Sequence, residues 1–103
     1  MNFKPNNSGT ILMTANSSSQ NVALPNGGGA YLRIVNAGAN IAYCETTSDA
    51  NVPALVPAAN VSGGFPVFAN QPALTVLLKA GDTRIACVSE GSSKMLFTRG
   101  DIN

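Results

Sequence analysis

Ala30-Tyr31-Leu32-Arg33-Ile34-Val35-Asn36 is the stretch whose reading decides the fold. In an extended chain Leu32 and Ile34 point one way, and Tyr31 and Arg33 point the other. One face is apolar and one polar, the signature of a strand half-buried in a sheet. The stretch is preceded by the turn Pro25-Asn26-Gly27-Gly28-Gly29 and followed by Ala37-Gly38-Ala39-Asn40. The latter reads as a tight hairpin connection, with residues 41–47 returning as the partner strand.

The same rhythm continues on both sides. Residues 10–15 and 20–24 read as strands separated by the polar run Asn16-Ser17-Ser18-Ser19. Residues 73–78, 83–89 and 94–99 read as three more, divided by Lys79-Ala80-Gly81-Asp82 and Glu90-Gly91-Ser92-Ser93. Between them, Pro53, Pro57, Pro66 and Pro72 exclude a long helix and a central strand. Residues 49–60 read mainly as an extended loop with room for one helical turn, and 65–68 as a short edge strand. This gives an all-β chain of about seven or eight short strands, a single antiparallel β-sandwich of jelly-roll or immunoglobulin-like type. The expected core is Leu12, Leu32, Ile34, Leu74, Val76, Leu78, Ile85, Met95 and Phe97. Residues 1–9 read as a flexible N-terminal arm and 10–103 as the sandwich domain.

At 103 residues the chain is one domain, large enough to hold a core without metals or dense disulfides. Charged residues make up only 11%, against about 25% in a typical soluble domain. Residues 5–32 and 50–78 carry no charge at all. Amides and hydroxyls supply the polarity, and a partner covers such a surface at little desolvation cost. Lys4, Arg33, Lys79, Arg84, Lys94 and Arg99 are scattered, so no patch neutralises several phosphates and nucleic acid is not an expected partner. No apolar run approaches the ~18 residues of a membrane span. The N-terminus lacks the basic-then-apolar layout of a signal peptide.

Histidine is absent, which removes Ser-His-Asp and Cys-His nucleophile arrangements and the commonest metal ligand. Glu45, Asp49, Asp82, Glu90 and Asp101 are dispersed along the chain. The expectation is therefore no catalytic residue, no cofactor and no metal. Gly27-Gly28-Gly29 lacks the Gly-Lys-Ser/Thr of a phosphate loop and precedes a strand, so it reads as a turn. Arg99-Gly100-Asp101 matches an integrin-type tripeptide, a match that three residues often make by chance. Acceptor patterns for N-glycosylation stand at Asn6, Asn16 and Asn60, and without a secretory route they stay unmodified. Cys44 and Cys87 lie in separate strands, where an inter-sheet disulfide is one option and buried free thiols the preferred one.

From about Gln20 onward, the layout "VALPNGGGAYLRIVNAGANIAYCETTSD", a Pro-rich crossing and "LTVLLKAGDTRIACVSEGSSKMLFTRGD" resembles small virion proteins of tailed bacteriophages. The likeness lies in a strand of "LRIVNAG" type running into "NIAY", a "KAGDTRIACV" hairpin, and an ending Thr98-Arg99-Gly100-Asp101. It covers about four-fifths of the chain. Cys44, Cys87 and the tail Asp101-Ile102-Asn103 depart from that pattern. The resemblance implies a β-sandwich that decorates or cements the capsid. Its partners would be the major capsid protein or another virion protein, and copies of itself, trimers being common in that class. The location it implies is the capsid surface of the virion, after synthesis in the host cytoplasm. Asn2, Phe3, Lys4 and Pro5 are candidate contacts along a neighbouring subunit, because Pro5 favours extended backbone before it and Phe3 offers an apolar anchor. Tyr31 and Arg33, side by side on one strand face, are the other candidates. The competing expectation is a receptor- or carbohydrate-binding module of a fibre or tail, in which Tyr31 and Tyr43 would stack on sugars.

Overall fold

The computed structural model describes residues 2–25 and 28–102. Among the described residues eight strands form: β1 (Phe3–Ala15), β2 (Gln20–Ala23), β3 (Tyr31–Asn36), β4 (Ala42–Thr47), β5 (Phe65–Val67), β6 (Leu74–Leu77), β7 (Arg84–Ser89) and β8 (Ser93–Ile102). They make two four-stranded antiparallel sheets, ordered β1-β8-β3-β6 and β2-β7-β4-β5. The all-β sandwich expected from the sequence is what the chain forms.

The pairing has a simple rule. β1 pairs with β8, β2 with β7, β3 with β6 and β4 with β5. Those are the rungs of one long antiparallel hairpin folded between β4 and β5. Rolling that hairpin on itself adds the pairs β3–β8 and β4–β7. The architecture is a jelly roll rather than an immunoglobulin-like sandwich.

This topology corrects two hairpins. β3 and β4 do not pair, and neither do β6 and β7. Residues 37–41 instead carry the chain from one sheet to the other. Alternating side chains show which face of a strand is buried, but not which strand lies beside it. The crossing is held by buried Asn36, whose Nδ2 donates to the carbonyls of Asn40 and Val67 at 2.8 and 2.9 Å. Its Oδ1 accepts from the Gly38 amide at 3.0 Å.

Prolines obey the sheet. Among the described strands they occur only in β1 (Pro5) and β5 (Pro66), each an edge of its sheet. An edge strand has one side whose amides need no partner, so a missing N–H does little harm there.

The core lies between the sheets. Leu32, Ile34, Met95 and Phe97 from one meet Ala42, Cys44, Ile85 and Cys87 from the other. Leu78 is buried with them, and Val76 packs against them half-buried. Leu12 and Leu74, expected in the core, are exposed instead. In β1 it is Met13 and Ala15 that are buried. Ile11-Leu12-Met13 is apolar throughout, so its composition leaves the inward phase open. Leu74 faces inward opposite Ile34, but β6 is an edge strand and leaves it partly open.

The N-terminal arm is also corrected. Met1 lies outside the described residues, but residues 3–5 are not a free arm: Phe3, Lys4 and Pro5 pair with Ile102, Asp101 and Gly100. The register then shifts between Pro5 and Thr10. Backbone pairing along β8 requires no apolar side chain, and residues 1–9 therefore give little sequence signal for it.

Candidate functional site

The two outer faces of the sandwich differ. Outside β2-β7-β4-β5, the segment joining β4 to β5 lies across the sheet. Ala54 and half-buried Val56 pack there against Ala86, Val88 and Tyr43 as a second apolar cluster. The segment is tied down by Asn21 of β2, whose Nδ2 donates to the carbonyls of Asp49 and Val52 at 3.1 and 2.9 Å. Ser19 Oγ accepts from the Ala54 amide at 2.9 Å. Arg84 Nε donates to Asn21 Oδ1 at 2.7 Å, which fixes the amide that holds the segment.

Outside β1-β8-β3-β6 no comparable segment is found among the described residues. Registers there set the outward side chains in three rows. Leu12, Leu96 and Val35 form an apolar row. Thr10, Thr98, Arg33 and Thr75 form a polar row, in which the hydroxyls of Thr10 and Thr98 are 2.7 Å apart. Tyr31 and Leu77 stand side by side in the third. Leu12 is 57% exposed and Leu77 66%. In the apolar row Leu12 is exposed and Leu96 and Val35 are half-buried.

The residues singled out from the sequence meet here in part. Tyr31 and Arg33 are on this face, and the Arg33 guanidinium carbon lies 6.0 Å from the centre of the Phe3 ring. Phe3 therefore reaches across to β3 and extends the patch. Lys4 and Pro5 belong to the outer edge of the same sheet, and Asn2 is exposed just before it. The sequence reading missed Leu12, Leu96, Val35 and Leu77. Leu96 had a signal: it alternates with Met95 and Phe97, which are buried.

Tyr43 does not join Tyr31. The two lie in different sheets, and Tyr43 packs under the segment that covers its own. Two tyrosines are thus not assembled into a platform for a sugar ring.

Arg99-Gly100-Asp101 is not displayed in a loop. It lies within β8, Arg99 Nε donates to the Gly29 carbonyl at 2.9 Å, and Asp101 Oδ1 accepts from the Ala30 amide at 3.1 Å. Asn26 and Gly27 of the glycine turn lie outside the described residues. Asp82 Oδ2 accepts from the Lys79 amide at 2.9 Å and closes its turn. Among the described residues no three of the Cys, Asp and Glu side chains gather as metal ligands. A cleft of about 240 Å³ opens beside β5 and β6, lined by Ile34, Pro66, Val67, Phe68, Pro72 and Leu74 with the amides of Asn36 and Gln71. Its lining is apolar apart from those two amides and carries no titratable side chain.

Comparison of the chain with protein-family models, with curated proteins and with solved structures finds no match.

Proposed function

We propose that this chain is a non-catalytic assembly protein that docks the open face of the β1-β8-β3-β6 sheet onto another protein, the capsid of a tailed phage being the surface it fits. The observation that carries this reading is the contrast between faces. One sheet is covered by the chain itself, and the other presents exposed Leu12 and Leu77 beside half-buried Leu96, Val35 and Tyr31. β8 runs ten residues, about 34 Å, and four strands span about 19 Å. The face is then on the order of 600 Å², the same order as the ~800 Å² each partner contributes to a stable interface. Its charges are confined to Arg33 and Lys94, both exposed, with the Arg33 guanidinium carbon 6.0 Å from the centre of the Phe3 ring. The sequence resemblance to small phage head proteins supplies the partner, and self-association in the same shell accompanies it.

The test is co-sedimentation of the purified chain with capsids assembled from the major capsid protein of the same genome. Wild-type protein is expected in the pellet and Leu12→Lys/Leu77→Lys in the supernatant, both folded by circular dichroism. Wild-type protein that stays in the supernatant at saturating capsid rules the reading out.

A further inference from the structure

Cys44 and Cys87 stand directly opposite each other in the β4–β7 pair, within one sheet rather than across the sandwich. Both are free thiols and both are wholly buried. Their Sγ atoms are 2.7 Å apart. That is well inside the ~3.5–4.0 Å optimum for non-bonded carbon atoms, which are smaller than sulfur. Opposed residues of an antiparallel pair have Cα atoms about 4.5 or 5.5 Å apart, depending on the hydrogen-bonding phase. A disulfide spans Cα separations of ~4.4–6.8 Å. The Cα separation of opposed strand residues thus falls within the range of a disulfide, and the 2.7 Å between the Sγ atoms shows that the two side chains already converge. Among the described residues no group of three metal-ligating side chains forms around them.

We propose that Cys44 and Cys87 are an oxidisable pair that closes to an intramolecular cross-strand disulfide, fastening β4 to β7 at the centre of the sheet. The co-reactant is a small-molecule disulfide such as oxidised glutathione. One cysteine thiolate attacks it, forms a mixed disulfide and releases one glutathione. The second cysteine attacks the protein sulfur of that mixed disulfide and releases the other. Two protein S–H bonds and one glutathione S–S bond are lost. One protein S–S bond forms, and the two protons leave with the two glutathione thiols. Because neither sulfur is exposed, exchange runs through chains in which β4 and β7 are still apart. Once the sheet closes, the bond is sealed from reductants.

The experiment refolds reduced, unfolded protein into a mixture of reduced and oxidised glutathione, then unfolds it without reductant and counts thiols. The expected product is a monomer with no free thiol, lighter by the mass of two hydrogens, that shows the native sheet signal before unfolding. Its reduction by dithiothreitol is expected to be at least an order of magnitude slower in buffer than in denaturant. Cys44→Ala refolded the same way is expected to keep Cys87 as a thiol or a glutathione adduct. The proposal is overturned if wild-type protein keeps two thiols, ends as glutathione adducts or covalent dimers, or loses its sheet signal when oxidised. Equal reduction rates in buffer and denaturant also overturn the sealed bond.

Discussion

Leu12 stands directly opposite Leu96 on the outer face of the sandwich, where Leu96 in turn faces Val35. Such a cross-strand apolar pair stabilises a sheet by about 0.2–1 kcal/mol. Leu12→Lys should therefore lower stability by no more than about 1 kcal/mol, read from a urea midpoint. Its effect on association should be larger. Lys at this position would place an unpaired charge under the partner, which should cost more than ~1 kcal/mol, or about fivefold in Kd. Loss of capsid binding or self-association with a near-native midpoint is the expected pattern. A large loss of stability with binding intact would return Leu12 to a purely structural role.

Gly100 allows the first residues of β1 to reach the sheet. A Cβ at that position would collide with the backbone of Lys4 and Pro5, and the glycine is buried. Gly100→Ala should push residues 3–5 off β8 while leaving Thr10 to Ala15 paired. Overpacking against backbone costs about 1–3 kcal/mol. Hydrogen exchange should show lost protection in residues 3–4 and in the β8 end opposite them, with residues 10–15 unchanged. Phe3→Ala removes only the ring from Arg33, so it should cost about 0.5–1 kcal/mol and leave that exchange pattern intact.

Strand positions were legible because two signals agree along this chain. Alternation around Leu32 and Ile34 marks the buried face, and Gly, Pro and Asn mark the ends. Pro66 likewise placed β5 at an edge. Connectivity was legible only as a choice between a jelly roll and an immunoglobulin-like sandwich, and local hairpins were misassigned. Asn36 and Asn40 look like hairpin residues, yet the Asn36 side chain satisfies the backbone of a crossing between sheets. The open face was half legible. Tyr31 and Arg33 were visible as its polar side, but the uniform Ile11-Leu12-Met13 run hid Leu12. The cover on the other sheet was illegible for a related reason. Ala54 and Val56 sit in a Pro-rich segment with no strand periodicity, and only the fold brings them onto Ala86 and Val88.

The Asn36 side chain is a second point where one residue fixes topology. It donates two bonds and accepts one, tying the backbone of the β3–β4 crossing at Gly38 and Asn40 to the Val67 carbonyl of β5. Asn36→Ala leaves the Val67 and Asn40 carbonyls and the Gly38 amide without that partner. Each buried polar group left unsatisfied costs about 1–3 kcal/mol. Relief comes from Ser93 Oγ, which also donates to the Asn40 carbonyl, at 2.7 Å. The buried Val67 carbonyl dominates, so the expected total is about 1–3 kcal/mol, measured by urea unfolding. Asn36→Asp keeps the acceptor for Gly38 but replaces the two donors with a charge, and should be at least as destabilising. A change below about 0.5 kcal/mol in Asn36→Ala would show that the crossing is held by its backbone alone.

Cys87 makes the reduced protein sensitive to alkali. Its contact with Cys44 and its burial hold the thiol above its usual range, so it keeps its proton in the folded state. In the unfolded chain a cysteine ionises near pH ~8.5. Below that value both states carry the proton and this group adds no pH dependence. Above it the unfolded state binds fewer protons than the folded one, and stability falls as pH rises. The slope for one such thiol approaches about 1.4 kcal/mol per pH unit. The urea midpoint of reduced protein should accordingly drop between pH 8.5 and about 10, beyond any drop in Cys87→Ala. The disulfide form has no thiol to ionise and should not show the drop that Cys87 causes. Parallel pH profiles for reduced wild type and Cys87→Ala would mean that the folded thiol ionises as freely as the unfolded one.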